Sequence, residues 1–157
     1  MSKKYEAVFI SSIGAIGINT HGDKIKELKF DGNQKKIKPS NYFLKEVYQQ
    51  LDFYFKKKLI KFDLPYILTG TEYQKKVLKK ICLINYGKTV TYSNIAEKLK
   101  THPRPVGNVC RKNAIQLLIP CHRVIGKNNI GGFAGEDINT GGSMVFVKES
   151  LLSFERK

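Results

Sequence analysis

Hydrophobic and polar residues alternate over the first thirty positions, in three runs that end at turn residues. The runs are Tyr5 to Ile10, Gly14 to Asn19 and Ile25 to Phe30. Alternation with a period of two is typical of strands that bury one face. The pattern therefore predicts a three-stranded antiparallel meander.

A helical period replaces the alternation after the polar stretch from Asp31 to Ser40. Ser40 is the expected N-cap of this helix. The apolar positions that follow the period are Phe43, Leu44, Val47, Leu51, Tyr54 and Phe55. We expect this helix to cover one face of the sheet.

The chain then divides at a connector that contains Asp63-Leu64-Pro65. We place the domain boundary at Pro65, which gives an N-terminal α/β domain over residues 1–65 and a C-terminal domain over residues 66–157. The C-terminal pattern is mostly helical. A first helix begins beyond Gly70 and ends at Gly87.

Two short helices follow this longer one. The first is capped by Thr91 or Ser93 and runs to Leu99, and the second covers Pro103 to Lys112. A longer helix followed by two short ones predicts a helix-turn-helix, although ordinary helix packing gives the same pattern. Arg104, Arg111 and Lys112 lie where a recognition helix would carry its positive charges.

The composition supports a folded domain with an anionic partner. Hydrophobic residues make up 41% of the 157 positions and charged residues 26%, as in ordinary globular proteins. The net charge is +15, from 28 Lys and Arg against 13 Asp and Glu. This surplus favours DNA or RNA, because phosphate neutralisation releases counterions, while a solvated lysine surface is the alternative.

Membrane, disulfide and metal functions have little support in the sequence. It has no apolar run long enough to span a bilayer and no secretory signal pattern, so we expect a cytoplasmic protein. Its three cysteines include no Cys-x-x-Cys pair, which argues against a disulfide framework. The cysteines and histidines also show no paired zinc-ligand spacing, so no metal or cofactor is expected.

The apolar run Ile115 to Ile119 leads into Pro120-Cys121-His122-Arg123-Val124. Thiolate is the reactive form of cysteine, and an ordinary thiol has a pKa of about 8.5, so a base or positive charge is needed beside it at neutral pH. His122 and Arg123 are the nearest candidates. Neighbouring side chains on an extended segment point to opposite faces, so an inert core cysteine stays open as an alternative.

Four strings extend this motif: GTEYQKKVL, YGKTVTYSNIAEKL, RPVGNVCRKN and NAIQLLIPCHRVIGKNNIGGFAG. Together they resemble the O6-alkylguanine-DNA alkyltransferase (methylated-DNA-protein-cysteine methyltransferase) family over most of residues 70 to 155. The resemblance implies a ribonuclease H-like first domain and a winged helix-turn-helix second domain. It also implies direct DNA repair by irreversible, single-turnover transfer of the alkyl group of O6-alkylguanine, with O4-alkylthymine as an open second substrate.

The resemblance assigns the chemistry to four residues. Cys121 is the alkyl acceptor, His122 is its base through a water molecule, and Glu155 orients the histidine. Tyr92 lies over the flipped nucleotide and donates a hydrogen bond to the guanine. The alkyl carbon lies within the base stack, so sulfur can attack only after the nucleotide has left the helix.

The resemblance also assigns DNA contacts and a substrate pocket. Arg104 is the finger that replaces the extruded base. The remaining expected DNA contacts are Arg111, Tyr73 and Tyr92. The expected pocket residues are Val124, Phe133, Ala134 and Asn113, of which Asn113 braces the turn before the active-site segment.

Some positions depart from the family pattern. Arg104 lies between Pro103 and Pro105 where alanines are usual, and the segment Glu136 to Val147 lengthens the loop beside the pocket. The implied partner is double-stranded DNA that contains O6-alkylguanine, bound by a monomer without an obligate protein partner. The expected location is the nucleoid in a prokaryote or the nucleus in a eukaryote.

Two other functions are compatible with parts of the sequence. An alkyltransferase-like lesion binder would keep the DNA surface but replace the nucleophile, typically with tryptophan, whereas Cys121 is present here. A Cys-His hydrolase would need an acyl substrate and an oxyanion site, and it would leave the basic charge unexplained.

Overall fold

The computed structural model describes residues 4–129, 131 and 143–156, and the chain forms two compact units, Met1–Ile67 and Leu68–Lys157. Unit one contains a three-stranded antiparallel sheet of β1 (Ala7–Ile10), β2 (Ala15–His21) and β3 (Lys24–Phe30), in that order. This confirms the predicted meander. The second strand runs two residues beyond its predicted end at Asn19, with a register irregularity between Asn19 and Thr20.

Helix α1 (Tyr42–Phe55) packs against β1 and buries an apolar face. Its N-cap is Asn41, so the expectation of Ser40 was wrong by one residue. Asn41 has an extended backbone, and its side-chain oxygen accepts a hydrogen bond from the backbone N–H of Leu44 at 2.9 Å. That bond satisfies one of the N–H groups left open at the start of a helix.

The first helix of unit two is α2 (Glu72–Ile81). Its N-terminus is stabilised by a capping box, in which Thr71 and Gln74 each accept a hydrogen bond from the other's backbone N–H. The helix ends at Ile81, so the predicted end at Gly87 was wrong. Tighter turns follow, in which the Leu83 N–H bonds the Lys80 carbonyl at 3.1 Å and the Ile84 N–H bonds the Ile81 carbonyl at 3.0 Å. Such i to i+3 bonds commonly end an α-helix.

Helices α3 (Tyr92–Lys98) and α4 (Pro103–Arg111) pack against each other and against α2. Thr91 caps α3 by accepting a hydrogen bond from the Asn94 N–H at 3.0 Å. Proline suits the first turn of α4, because the N–H it lacks has no partner there. The arrangement confirms the predicted helix-turn-helix.

Two further elements position the reactive segment. A parallel pair joins β4 (Val90–Thr91) to β5 (Val124–Ile125) and so places the start of α3 beside the motif that contains Cys121. Helix α5 (Ser143–Arg156) follows. The prediction of a loop over Glu136 to Val147 was therefore wrong from Ser143 onward, because α5 begins there. The earlier part of that segment lies outside the described residues. Within the described ranges, no helix is long and apolar enough to cross a bilayer.

Candidate active site

Residues Cys121–Arg123 form a single 3-10 turn, called here the active-site turn. The Cys121 N–H bonds the Ile119 carbonyl at 2.8 Å, and the Arg123 N–H bonds the Pro120 carbonyl at 2.9 Å. The segment is therefore not an extended strand, and its side chains do not alternate between two faces. Cys121 is 2% exposed and His122 is fully buried.

Glu155 of α5 is the ionic partner of this turn. One carboxylate oxygen lies 2.9 Å from Nε2 of His122, and the Arg123 guanidinium donates to both oxygens at 2.8 and 2.9 Å. Arg123 also donates to the Ile84 carbonyl at 2.8 Å. Because the carboxylate is buried between a guanidinium and an imidazole, its position is fixed by charge-assisted hydrogen bonds.

The environment of His122 is suited to a base. Burial lowers the pKa of His122, although the Glu155 carboxylate opposes this shift, so the ring is neutral at neutral pH. An ionised carboxylate can only accept, so Nε2 carries the ring hydrogen and Nδ1 carries the lone pair. Nδ1 is buried and has no hydrogen-bond partner among the residues that the structure describes. The basic nitrogen is therefore available.

Asn113 holds the Cys121 thiol in place. Its amide nitrogen donates to the Ile119 carbonyl at 3.0 Å and to the Cys121 sulfur at 3.3 Å, while its oxygen accepts from the Ile115 N–H at 2.9 Å. A hydrogen-bonding interaction of the protonated Cys121 thiol with Cys110, together with burial, raises the pKa of Cys121, while Asn113 and Lys148 act in the opposite direction. Cys121 therefore rests as a thiol and needs a base.

Tyr92 and Lys148 complete the cluster. Lys148 is fully buried, and its ammonium donates to the Val124 carbonyl at 2.7 Å and to the Tyr92 hydroxyl at 3.3 Å. Burial lowers the pKa of Lys148 to about 8, although the Cys110 and Cys121 thiols oppose the shift. Burial raises the pKa of Tyr92, so the phenol keeps its proton. This pair places a donor and a positive charge beside the thiol.

Sequence reasoning did not include Lys148 among the site residues. The available signal was its position seven residues, or two helical turns, before Glu155 on the same helix. A lysine is ordinarily expected to be exposed, so that signal was weak.

The structure brings most of the sequence-predicted chemistry together: Cys121, His122, Glu155, Tyr92, Asn113 and Val124. Arg104 and Arg111 are exposed on α4, near its start and at its end. Tyr73 is half-buried on α2, with its hydroxyl 3.1 Å from the Thr101 hydroxyl. Phe133 and Ala134 lie outside the described residues.

Metal-binding residues do not cluster in this part of the molecule. Over residues 4–129, 131 and 143–156, no group of three or more His, Cys, Asp and Glu side chains could hold a metal ion.

Fold and site together define a class of protein. A basic helix-turn-helix domain is suited to nucleic acid, and a thiol beside a neutral imidazole is suited to nucleophilic attack. The same domain carries both features. The class is therefore that of nucleic-acid-modifying proteins that act through a cysteine.

Family comparison makes this more specific. The family model described as 6-O-methylguanine DNA methyltransferase, DNA binding domain, matches residues 72–157. The model for the ribonuclease-like domain of the same methyltransferase matches residues 4–67. This chain belongs to the 6-O-methylguanine DNA methyltransferase family.

Individual relatives agree with the family assignment. A methylated-DNA–protein-cysteine methyltransferase of Methanosarcina barkeri is 36% identical over 160 residues, which cover 96% of each chain. The crystal structure of the Mycobacterium tuberculosis O6-methylguanine methyltransferase is 29% identical with a TM-score of 0.80, over 97% of this chain and 92% of that one. A structure of the Mycobacterium tuberculosis protein in complex with DNA has a TM-score of 0.78 at 30% identity, over 95% of this chain and 91% of that one.

Proposed function

We propose that this chain repairs duplex DNA by moving the alkyl group of O6-alkylguanine onto Cys121, once per protein molecule. The observation that carries the proposal is the buried Cys121-His122-Glu155 arrangement in a chain of this family. A thioether has no route back to a thiolate within the site, so the reaction ends with the first transfer. O4-alkylthymine is proposed as a second substrate of the same pocket.

Activation begins at His122. Its Nδ1 takes the Cys121 proton through a water molecule, while Nε2 donates to Glu155 and the growing positive charge faces the carboxylate. The Cys121 sulfur then bonds the alkyl carbon and the carbon–oxygen bond to guanine breaks. The electron pair of that bond goes to the guanine.

Tyr92 supplies the proton that the departing guanine needs. Its hydroxyl accepts a hydrogen bond from the buried Lys148 ammonium at 3.3 Å, and this favours loss of the phenolic proton as negative charge develops on the base. We propose that the main chain at Val124, with Asn113 as a brace, forms one side of the pocket. Phe133 and Ala134 are proposed as the other side.

The DNA surface is proposed to lie on α4 and α2. The M. tuberculosis relative has been crystallised with DNA. Cys121 is 2% exposed, so a base that stays stacked cannot reach its sulfur, and the nucleotide must flip. We propose that Arg104 fills the gap in the duplex and that Arg111 and Tyr73 contact the backbone. The protein is proposed to act as a monomer. Its proposed location is that of the genomic DNA, which is the nucleoid in a prokaryote or the nucleus in a eukaryote.

One experiment separates this function from its alternatives. The protein is incubated with a duplex that carries a single O6-methylguanine, and the products are weighed by intact mass spectrometry. A methyl group on the protein supports repair. DNA binding without a mass change would instead indicate a lesion binder. If neither a mass change nor DNA binding is observed, the Cys-His hydrolase is the function that is left.

The first prediction from this mechanism concerns the base. We expect His122→Ala to slow transfer from free O6-benzylguanine by about 10² to 10⁴-fold at neutral pH, the usual effect of a general base. The Cys110 hydrogen bond and burial hold the pKa of Cys121 above its ordinary value, so the rate of the variant should climb as pH rises. The measurement is a pH–rate profile of both proteins. A deficit that is equal at every pH would contradict the general-base role.

The second prediction concerns the finger. Arg104 is exposed, so Arg104→Ala should cost little stability, usually within about 0.5 kcal/mol for such a position. It should slow transfer from duplex DNA strongly and transfer from free O6-benzylguanine hardly at all, because the free base needs no extrusion.

The matched control for the finger is Arg111→Ala at the other end of α4. It should weaken DNA binding in a salt-dependent way without separating the two substrates. Equal losses of Arg104→Ala on both substrates would show that Arg104 shapes the pocket. Unchanged rates on both would show that another residue fills the gap.

A further inference from the structure

Helix α3 ends at a lysine in the left-handed backbone conformation. Lys100 follows the C-cap Leu99 and has a φ of 55°. Its N–H bonds the Glu97 carbonyl at 3.2 Å, and the Thr101 N–H bonds the Ala96 carbonyl at 2.8 Å. These two bonds form a Schellman motif, whose left-handed position usually holds glycine because a side chain there is strained. Lys100 therefore lowers the stability of the fold relative to glycine.

The helix dipole does not explain this lysine. A positive charge near a helix C-terminus interacts favourably with the dipole, but the last turn of α3 already contains Lys98. Helix α1 provides the comparison, because it ends in the same motif with Lys57 at a φ of 61°. The last turn of α1 contains no basic residue, so Lys57 supplies the charge that α1 lacks. Lys100 has no such role in α3.

Lys100 lies in the turn between the two short helices of the helix-turn-helix. It is exposed, and it precedes His102, the N-cap of α4, and Arg104 in the first turn of that helix. The hydroxyl of the next residue, Thr101, lies 3.1 Å from the Tyr73 hydroxyl on α2. The turn is therefore tied to one proposed DNA contact and leads directly into another.

We propose that Lys100 is a DNA-positioning residue, whose ammonium binds a backbone phosphate of the duplex and holds it against the start of α4. This proposal rests on the proposed repair function, which places DNA on α2 and α4. A lysine binds phosphate as a point charge and releases a counterion from the DNA. Strained backbone positions persist where they serve a functional site, and the fixed turn gives this side chain a defined starting point.

The test measures binding of the full chain to an unmodified duplex over a range of salt concentrations. Lys100→Gly should weaken binding at low salt and reduce the slope of log affinity against log salt by about 0.9, the contribution of one phosphate contact. The difference in affinity between the two proteins should therefore narrow about 3.5-fold as salt rises from about 50 to about 200 mM. A structural role of Lys100 would leave this slope unchanged.

Two further variants separate the charge from the backbone. Lys100→Arg keeps the positive charge and should keep the slope of the original chain. Lys100→Asn removes the charge but tolerates the left-handed conformation, so it should bind as Lys100→Gly does. The midpoint of urea unfolding should rise in Lys100→Gly, because glycine adopts this conformation without strain. All three variants should react with free O6-benzylguanine at the original rate, because that substrate carries no phosphate.

Lys57→Gly is the matched control. It removes the same charge from the same motif, at the end of α1 and outside the region that the DNA-binding family model matches. Its salt slope should equal that of the original chain. The proposal is overturned if Lys100→Gly keeps the original slope, or if Lys57→Gly reduces the slope equally, because the effect would then come from net charge. An original chain that binds no duplex would instead contradict the repair function itself, so the two failures are distinguishable.

Discussion

Replacing Cys121 with alanine is expected to abolish alkyl transfer and to leave DNA binding unchanged. In the proposed mechanism the Cys121 sulfur forms the new bond, so no neighbouring group can substitute for it. It is 2% exposed and contributes no surface to a phosphate contact. Intact mass spectrometry after incubation with alkylated duplex measures the transfer, and a mobility-shift titration measures the binding.

The control and the stoichiometry sharpen this result. Cys82→Ala changes an exposed cysteine and should retain full transfer. With the unmodified chain, transfer should stop at about one alkyl group per molecule, and the added mass should map to the peptide that contains Cys121. Continued turnover would contradict a thioether product. Loss of both transfer and binding in Cys121→Ala would indicate a structural cysteine.

Glu155→Ala is expected to have the largest effect on stability. The change leaves the buried Arg123 guanidinium without its bidentate partner and removes the acceptor from His122. Removing one member of a buried ion pair typically costs about 3–5 kcal/mol. The free energy of unfolding from urea titration measures this loss, and alkyl transfer should fall as well because the imidazole is no longer held.

Glu155→Gln is the matched variant. It keeps the size of the side chain and one oxygen acceptor, so it should be less destabilising than Glu155→Ala while still slowing transfer. If the Glu155→Ala protein were as stable as the original chain, this result would contradict the role of Glu155 as the ionic partner of the active-site turn. Transfer that survives in a stable Glu155→Ala protein would show that His122 needs no orienting group.

Local patterns in the sequence were enough to predict the three strands of the first sheet and helix α1. Alternation gave the three strands, and the helical period gave α1, because each pattern reflects one buried face. The cap of α1 was missed by one residue, since Ser40 and Asn41 are both good capping residues and only the backbone decides between them. The β4–β5 pair is too short for any period to predict.

The site was predicted less evenly. One short motif made Cys121 and His122 candidates, and the family resemblance assigned their roles together with that of Glu155, which lies 33 residues from His122 in another helix. The ion pair between Arg123 and Glu155 and the burial of Lys148 depend on packing between segments that are distant in the sequence. No local pattern encodes such contacts, so charged residues that look exposed in the sequence become part of the core.

The ionic link between the active-site turn and α5 has a consequence for synthesis of the protein. During translation, Cys121 leaves the ribosome before Glu155, and until α5 docks the imidazole has no carboxylate to hold it. A nascent or partly folded chain therefore carries an unactivated thiol. Under the proposed mechanism, alkyl acceptance is contingent on completed folding, so the proposed single transfer does not take place before the chain can recognise DNA.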